Sequence, residues 1–214
     1  MAVRLVMLGP PGAGKGTQSE RFSRVRNVPK ISTGDILREA VQAGTSVGKA
    51  AKSVMDAGRL VSDDVVIEIV RDRLSRRDAE AGFVLDGFPR SIAQAKALDR
   101  LVDDKAPLVV VDIEVMEETL VARLRNRRIC RSCGWNATPG MAACAKCGGA
   151  LVQRSDDGVD VVRERLRVYA RDTRPILEYY QSRPTFRSVD GDQTQDAVAD
   201  DIAAAVASVV GSLA

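Results

Sequence analysis

The stretch Gly9-Pro10-Pro11-Gly12-Ala13-Gly14-Lys15-Gly16-Thr17 limits what this chain can fold into more than any other. It follows a short apolar run, Val3 to Leu8, and opens a helical pattern that continues to about Arg26. A buried strand, a glycine-rich turn and a helix in that order let successive backbone N–H groups turn toward one anion. The helix N-terminus adds partial positive charge, and a lysine at this position reaches outer phosphates. Gly12, Ala13, Gly14, Lys15, Gly16 and Thr17 are therefore candidate ligands of a nucleotide's phosphates. The alternative, a glycine-rich turn with no ligand, leaves the lysine unexplained. Gly16 stands where many such loops place Ser or Thr, and the hydroxyl arrives one position later at Thr17, so this loop is not expected to ligate Mg2+ directly.

Further along, Phe83 to Asp86 reads as a second buried strand ending in the turn Gly87-Phe88-Pro89, Pro107 to Val115 as a third, and Thr185 to Val189 as a last short one. Val28 to Ile31 is too short to assign. Ser32 and Ser91 have the look of helix caps, and apolar spacing predicts helices near 46 to 57, 63 to 77, 117 to 125, 159 to 180 and 196 to 213. Strands alternating with helices predict an α/β domain, a parallel central sheet covered by helices on both faces, with ligands at the carboxyl ends of the strands. From about Asn126 to Gly158 the composition turns to Cys, Gly, Arg and small residues without a periodic apolar face. Residues 1–125 and 159–214 are thus expected to form one core, with 126–158 as a small insert.

The chain contains no histidine, which excludes His general bases, Ser-His-Asp and Cys-His catalysis, phosphohistidine and His metal ligands. Its net charge of +3 is too small for a general nucleic-acid or membrane-surface binder. The charge is unevenly spread. Arg123 to Arg174 carries a local +7 and the remainder −4, so something anionic is expected to meet that segment. Met1 to Arg4 enters an apolar run without a signal-peptide layout, and the apolar tail from Ile202 is too short to span a bilayer, so a cytoplasmic protein away from membranes is expected. All four cysteines fall in Cys130-x2-Cys133 and Cys144-x2-Cys147. In a reducing compartment such knuckles suit one tetrahedral Zn2+ better than disulfides or free thiols. Ten residues separate the knuckles against the usual ~15–20, which implies a shortened hairpin.

Gly9 to Gln18 (GPPGAGKGTQ), Ile31 to Arg38 (ISTGDILR), Leu85 to Arg90 (LDGFPR) with Gln94, and Arg154 to Arg165 (RSDDGVDVVRER) together make the chain resemble the adenylate kinases, in order and over nearly its whole length. The cysteine insert is similar to that of the long, zinc-containing bacterial form. The resemblance implies a phosphate-loop kinase with a zinc-ribbon lid at 126–158, a mobile AMP-binding segment at 32–62, structural Zn2+ on the four cysteines, and Mg2+ arriving with ATP. The implied reaction is phosphoryl transfer from MgATP to AMP, giving two ADP, with the lid closing over the reactants. Lys15, Arg90, Arg127, Arg154, Arg165 and Asp86 match the catalytic set. Arg123, Arg127 and Gln193 join the phosphate loop on the ATP side. Thr33, Arg38, Arg59, Leu60, Val61, Gly87, Phe88, Pro89, Arg90 and Gln94, with Arg154 and Arg165, match the AMP side.

Several of these residues have simpler readings. Asp86 could merely cap the turn after its strand, and Gln94 could be a polar residue on a helix face. Arg163, Arg167 and Arg171 are expected to be solvated or paired with nearby acids. The Tyr-His pair that commonly follows the first knuckle is replaced by Gly134-Trp135-Asn136-Ala137-Thr138, so ATP contacts carried by that pair do not transfer. A reading from another class is an ATP-binding protein whose zinc insert serves as a nucleic-acid ribbon. Basic residues around Cys130 favour it, but Trp135 is the insert's one aromatic and offers little to stack bases upon. A monomer acting on ATP, AMP and ADP, without nucleic acid, is the expectation.

Overall fold

The computed structural model describes residues 3–102, 106–138 and 140–212; Met1, Ala2 and Leu213, which entered the sequence reading, lie outside the described residues. Five parallel strands form the central sheet: β1 (Val3–Leu8), β2 (Lys30–Ser32), β3 (Gly82–Asp86), β4 (Leu108–Glu114) and β7 (Phe186–Asp190), in the order β2-β3-β1-β4-β7. The central strand β1 is flanked by β3, with Val6 opposite Leu85, and by β4, with Val6 opposite Val110. The connection from β1 runs to one side of the sheet, to β2, and that from its neighbour β4 to the other, to β7, so a crevice opens at the carboxyl end of β1, where the glycine-rich loop lies.

Every residue of β1 is buried, which is why, Arg4 apart, it reads as a continuous apolar run rather than an alternating one. Leu5 and Met7 face one core with Phe22 of α1 (Lys15–Arg26), Leu120 of α6 (Glu117–Asn126), and Val198, Ile202 and Val206 of α9 (Gln195–Ser212). Val6 and Leu8 face the other. That core also holds Val66 and Val70 of α4 (Asp63–Leu74), Ala95 and Leu98 of α5 (Ile92–Leu101), and Ile176 and Tyr180 of α8 (Pro175–Tyr180). The helix pair α2 (Thr33–Gln42) and α3 (Ser46–Asp56) forms a separate flap beside the sheet. Both cap residues act as such: Ser32 Oγ accepts from Asp35 N–H at 3.3 Å and Ser91 Oγ from Gln94 N–H at 3.2 Å.

The helix read from Val159 to Tyr180 is not continuous. The helix α7 (Val159–Val168) runs into a π turn, Tyr169–Thr173, and α8 restarts at Pro175. Pro175 has no N–H to continue an α ladder, and Arg174 N–H donates instead to Tyr169 O, five residues back, at 2.8 Å. The insert is a two-stranded ribbon, β5 (Ile129–Cys130) against β6 (Leu151–Val152), with the two cysteine knuckles at its tip. A 3₁₀ turn, Ser155–Asp157, returns the chain to α7. No described helix is long and apolar enough to cross a membrane.

Candidate active site

A cleft of about 660 Å³ runs along the carboxyl ends of β1 and β3, between the flap and the cysteine insert. At one end is the glycine-rich loop. Gly12 and Gly14 hold φ of +92° and +96°, which turns the loop and starts α1 at Lys15; a side chain at Gly12 would also strike Leu120 O and Leu124. Lys15 Nζ donates to Gly9 O at 2.6 Å and Pro10 O at 2.8 Å. Burial drops its ammonium from the usual lysine range to about 7; Arg90 and Arg165 push the same way, against Asp86 and Asp112. A Cβ on Gly16 would lie 3.3 Å from Asp86 Oδ2 and 3.6 Å from Asn136 Nδ2, so the space a Ser or Thr would need is crowded by the strand-end acid and the insert.

The other end is built by the flap and the turn after β3. Thr33 Oγ1 donates to Gly87 O at 2.8 Å, and Arg90 Nε donates to the same carbonyl at 2.8 Å. Arg90 is gripped by its backbone as well: its N–H donates to Gln94 Oε1 at 2.7 Å and its carbonyl accepts from Thr173 Oγ1, on the π turn, at 3.0 Å. Burial lowers its guanidinium to about 10, with Arg165 adding to the shift, which leaves it fully charged at neutral pH. Arg38 pairs with Asp35 at 2.5 Å, and Lys30 lies 3.5 Å from the same acid. Although burial works to raise Asp35, Arg38, Lys30 and Arg154 hold its carboxyl down at about 2.

A second group of arginines enters from the insert and α7. Arg127 makes a two-pronged contact with Asp157, and Arg165 reaches the same carboxylate at 2.9 Å and Asp156 at 3.1 Å. Arg154 is held more loosely, 3.9 Å from Asp35 and from Asp156, and its buried Nε has no hydrogen-bond partner. Burial lowers Arg154 to about 9, and Arg38 and Arg127 add to the shift. A cationic group left this poorly paired in a cleft is suited to an anion arriving from outside.

All the residues read from the sequence as nucleotide contacts border this cleft except Phe88, which is fully buried in the core beneath the turn while Gly87 and Pro89 face the cleft. Arg59, Leu60 and Val61 line it from the end of the flap, and Arg123 and Gln193 from the end at the glycine-rich loop. Arg123 donates to Gly191 O at 2.8 Å, and Gln193 to Asp190 O and Asp201. Arg163, Arg167 and Arg171 pair on the surface with Asp160, Glu164 and Asp172. Asp35, Asn136, Ala137, Tyr169 and Thr173 also line the cleft and Asp63 stands behind Gln94, none of them marked as a nucleotide contact by its sequence motif. Asp35 had a visible signal, three residues before Arg38 on one helix face; the others are brought in only by the fold.

The four cysteine Sγ atoms lie within 4.8 Å of one another, with Cys130–Cys147 at 3.4 Å, Cys133–Cys144 at 3.6 Å and Cys133–Cys147 at 3.5 Å. Disulfide sulfurs sit near 2.05 Å, whereas four thiolates around one Zn2+ at about 2.3 Å stand ~3.8 Å apart. The cluster therefore fits a closed tetrahedral metal site and not a pair of disulfides, and Lys146 N–H donating to Cys144 Sγ at 3.3 Å is the kind of contact that steadies such a thiolate.

The adenylate kinase family model matches residues 7–185. The adenylate kinase of Methanocella arvoryzae is 48% identical over 212 residues, covering 95% of this chain and 98% of that protein. That of Archaeoglobus fulgidus is 48% identical over 210 residues, 94% and 97% of the two chains, and that of Alkaliphilus oremlandii 49% over 199, 89% and 92%. With a phosphate loop at the switch point of a parallel sheet, a cation-lined cleft and this extent of identity, the chain belongs to the adenylate kinase family.

Proposed function

We propose a division of labour among the cleft residues in the family's reaction, reversible phosphoryl transfer between ATP and AMP. The observation that carries it is the convergence of Lys15, Arg38, Arg90, Arg127, Arg154 and Arg165 on one cleft that has a phosphate loop at one end. Two anionic nucleotides placed end to end repel each other, and the transferring group spreads charge over its oxygens. Fixed cations offset both effects without covalent chemistry, as suits a chain lacking histidine. Gly12 to Thr17 with Lys15 hold the ATP phosphates, with Arg123 and Gln193 near the base. Arg38 and Arg90 hold the AMP phosphate in line. Thr33, Arg59, Leu60, Val61, Gly87, Pro89 and Gln94 shape the AMP pocket. Arg127, Arg154 and Arg165 close over the transferring group.

Asp86, beside Gly16 and 3.9 Å from Lys30, suits a water-mediated hold on the Mg2+ that accompanies ATP. That ion supplies charge neutralisation between the phosphates. Cys130, Cys133, Cys144 and Cys147 would hold one structural Zn2+ that stands in for the apolar core the insert lacks. The insert, residues 126–158, acts as a lid: Asn136 and Ala137 already border the cleft, and Ser155 Oγ donates to Asp56 of the flap at 3.0 Å. Closure of lid and flap excludes water, which keeps the phosphoryl group for AMP. Free, clustered thiols agree with a cytoplasmic setting, and we read the working unit as a monomer.

Mixing the protein with MgATP and AMP should yield ADP, and the reverse from MgADP and ADP. No ADP above background with zinc-loaded protein would overturn the assignment, as would tighter binding to RNA or DNA than to nucleotides.

A further inference from the structure

Both ends of the Gln94 carboxamide are held by the protein. Oε1 accepts from Arg90 N–H at 2.7 Å, and Nε2 donates to Asp63 Oδ1 at 2.7 Å. Gln94 is 1% exposed, yet it borders the cleft; Asp63, the first residue of α4, does not. The other carboxylate oxygen, Asp63 Oδ2, accepts from Ser91 Oγ at 2.8 Å, the same hydroxyl that caps α5. Ser91-x-x-Gln94 has capping-box spacing, in which the glutamine side chain reaches back to an N–H at the helix start. Here it reaches Arg90, one residue beyond the cap. Capping accounts for the oxygen of the amide but leaves the bond from Nε2 to Asp63 without a reason.

That bond fixes which way round the amide sits. The two orientations have nearly the same shape and opposite chemistry: the oxygen accepts two hydrogen bonds and the nitrogen donates two. Each is used once, which leaves one acceptor and one donor side by side. Turning the amide over would set Nε2 against the Arg90 N–H and Oε1 against the Asp63 carboxylate, donor facing donor and acceptor facing acceptor. A 6-aminopurine offers a donor at its exocyclic nitrogen and an acceptor at N1, whereas a 6-oxopurine offers the reverse. An amide free to turn could pair with either base, and a locked amide pairs with one.

We propose that Asp63 is the positioning residue that sets base specificity, by holding the Gln94 amide in the one orientation that matches a 6-aminopurine monophosphate. This rests on Gln94 contacting the acceptor base, and the test separates the two. The ratio of kcat/KM for AMP to that for inosine monophosphate, the 6-oxo counterpart, is measured for the parent, Asp63→Ala, Asp63→Asn and Gln94→Ala, beside each melting temperature. Asp63→Ala should narrow the ratio about tenfold, with AMP turnover falling and inosine monophosphate turnover rising. Asp63→Asn, whose amide oxygen can still accept from Nε2, should stay within about threefold of the parent. A purely structural role would depress both substrates together and leave the ratio unmoved, which would overturn the proposal. Should Asp63→Ala not fold, Asp63→Leu carries the same expectation. A ratio collapsed by Gln94→Ala but unchanged in Asp63→Ala would reject the role of Asp63 alone. A ratio unchanged in both would reject the base contact itself and the proposal with it.

Discussion

Arg127 and Asp157, 30 residues apart in sequence, meet in a two-pronged ion pair, Nε to Oδ2 at 2.8 Å and Nη2 to Oδ1 at 2.5 Å, across the neck of the cysteine insert. Arg127 stands just before β5 and Asp157 just after β6, so the pair clasps the two chains where they leave the core. The Asp157 side chain is fully buried and accepts from Arg165 as well, so one carboxylate orders two of the arginines assigned to the transferring phosphoryl group.

Replacing Asp157 by Ala would leave the Arg127 guanidinium partly buried without its paired carboxylate, and Arg165 with Asp156 alone. Breaking a buried pair from one side costs about 3 kcal/mol. The melting temperature of the free protein should fall by several degrees, and saturating ADP should recover part of the loss, because its phosphates supply the missing negative charge. Equal melting of variant and parent without nucleotide would contradict the clasp.

Lys15→Ala should lower kcat by at least ~10³, about 4 kcal/mol of transition-state stabilisation, while the fold survives. Steady-state rates with matched circular dichroism spectra check it. Activity within tenfold of the parent would remove Lys15 from the phosphate site.

The lowered Lys15 ammonium gives a pH signature. With its folded value near 7, the side chain is mostly neutral at pH 8 in the free protein. Phosphates placed against it favour the charged form, so binding MgATP at pH 8 should take up a proton. Titration calorimetry in two buffers of different ionisation enthalpy reads this directly, and Lys15→Ala should abolish it. By the same linkage the folded state binds fewer protons than the unfolded chain between about 7 and 10.5, so this residue's contribution to stability rises with pH across that window. No proton uptake that depends on Lys15 would show the ammonium to be charged before the nucleotide arrives.

Chelation, or Cys144→Ser, should lower the melting temperature and unfold the insert before the core, since a structural metal's binding energy is folding energy for the segment that ligates it. The phosphate loop should still bind nucleotide. Protein purified without chelator should carry close to one zinc per chain; a metal-free protein with an unchanged melting temperature would exclude a structural metal.

The central strands were legible from sequence because burial on both faces leaves an unbroken apolar run, as in Leu5 to Leu8 and Phe83 to Leu85. The edge strand Lys30–Ser32 was not, because three residues carry too little pattern and its place is set by pairing with β3. The π turn was invisible for another reason: apolar residues from Val162 to Tyr180 keep helical spacing through it, and Pro175 alone hinted at the break. In the cleft, arginines within ordered motifs could be named in advance, but their partners could not. Asp63 and Gln94 are 31 positions apart, and only the packing of α4 beside α5 brings them together. Phe88 shows the converse limit, a motif residue whose side chain serves the core.

The position of β1 in the middle of the sheet also bears on how the chain is made. β1 is synthesised before both its neighbours, which begin at Gly82 and Leu108, so it emerges with both edges bare. At typical elongation rates that interval lasts roughly 5–20 s, during which an apolar strand is open to pairing with any other extended chain nearby. A ribosome-bound chaperone covering β1 would find its cargo here, and a slow codon run before Leu108 would lengthen the exposure without altering a single residue of the finished protein.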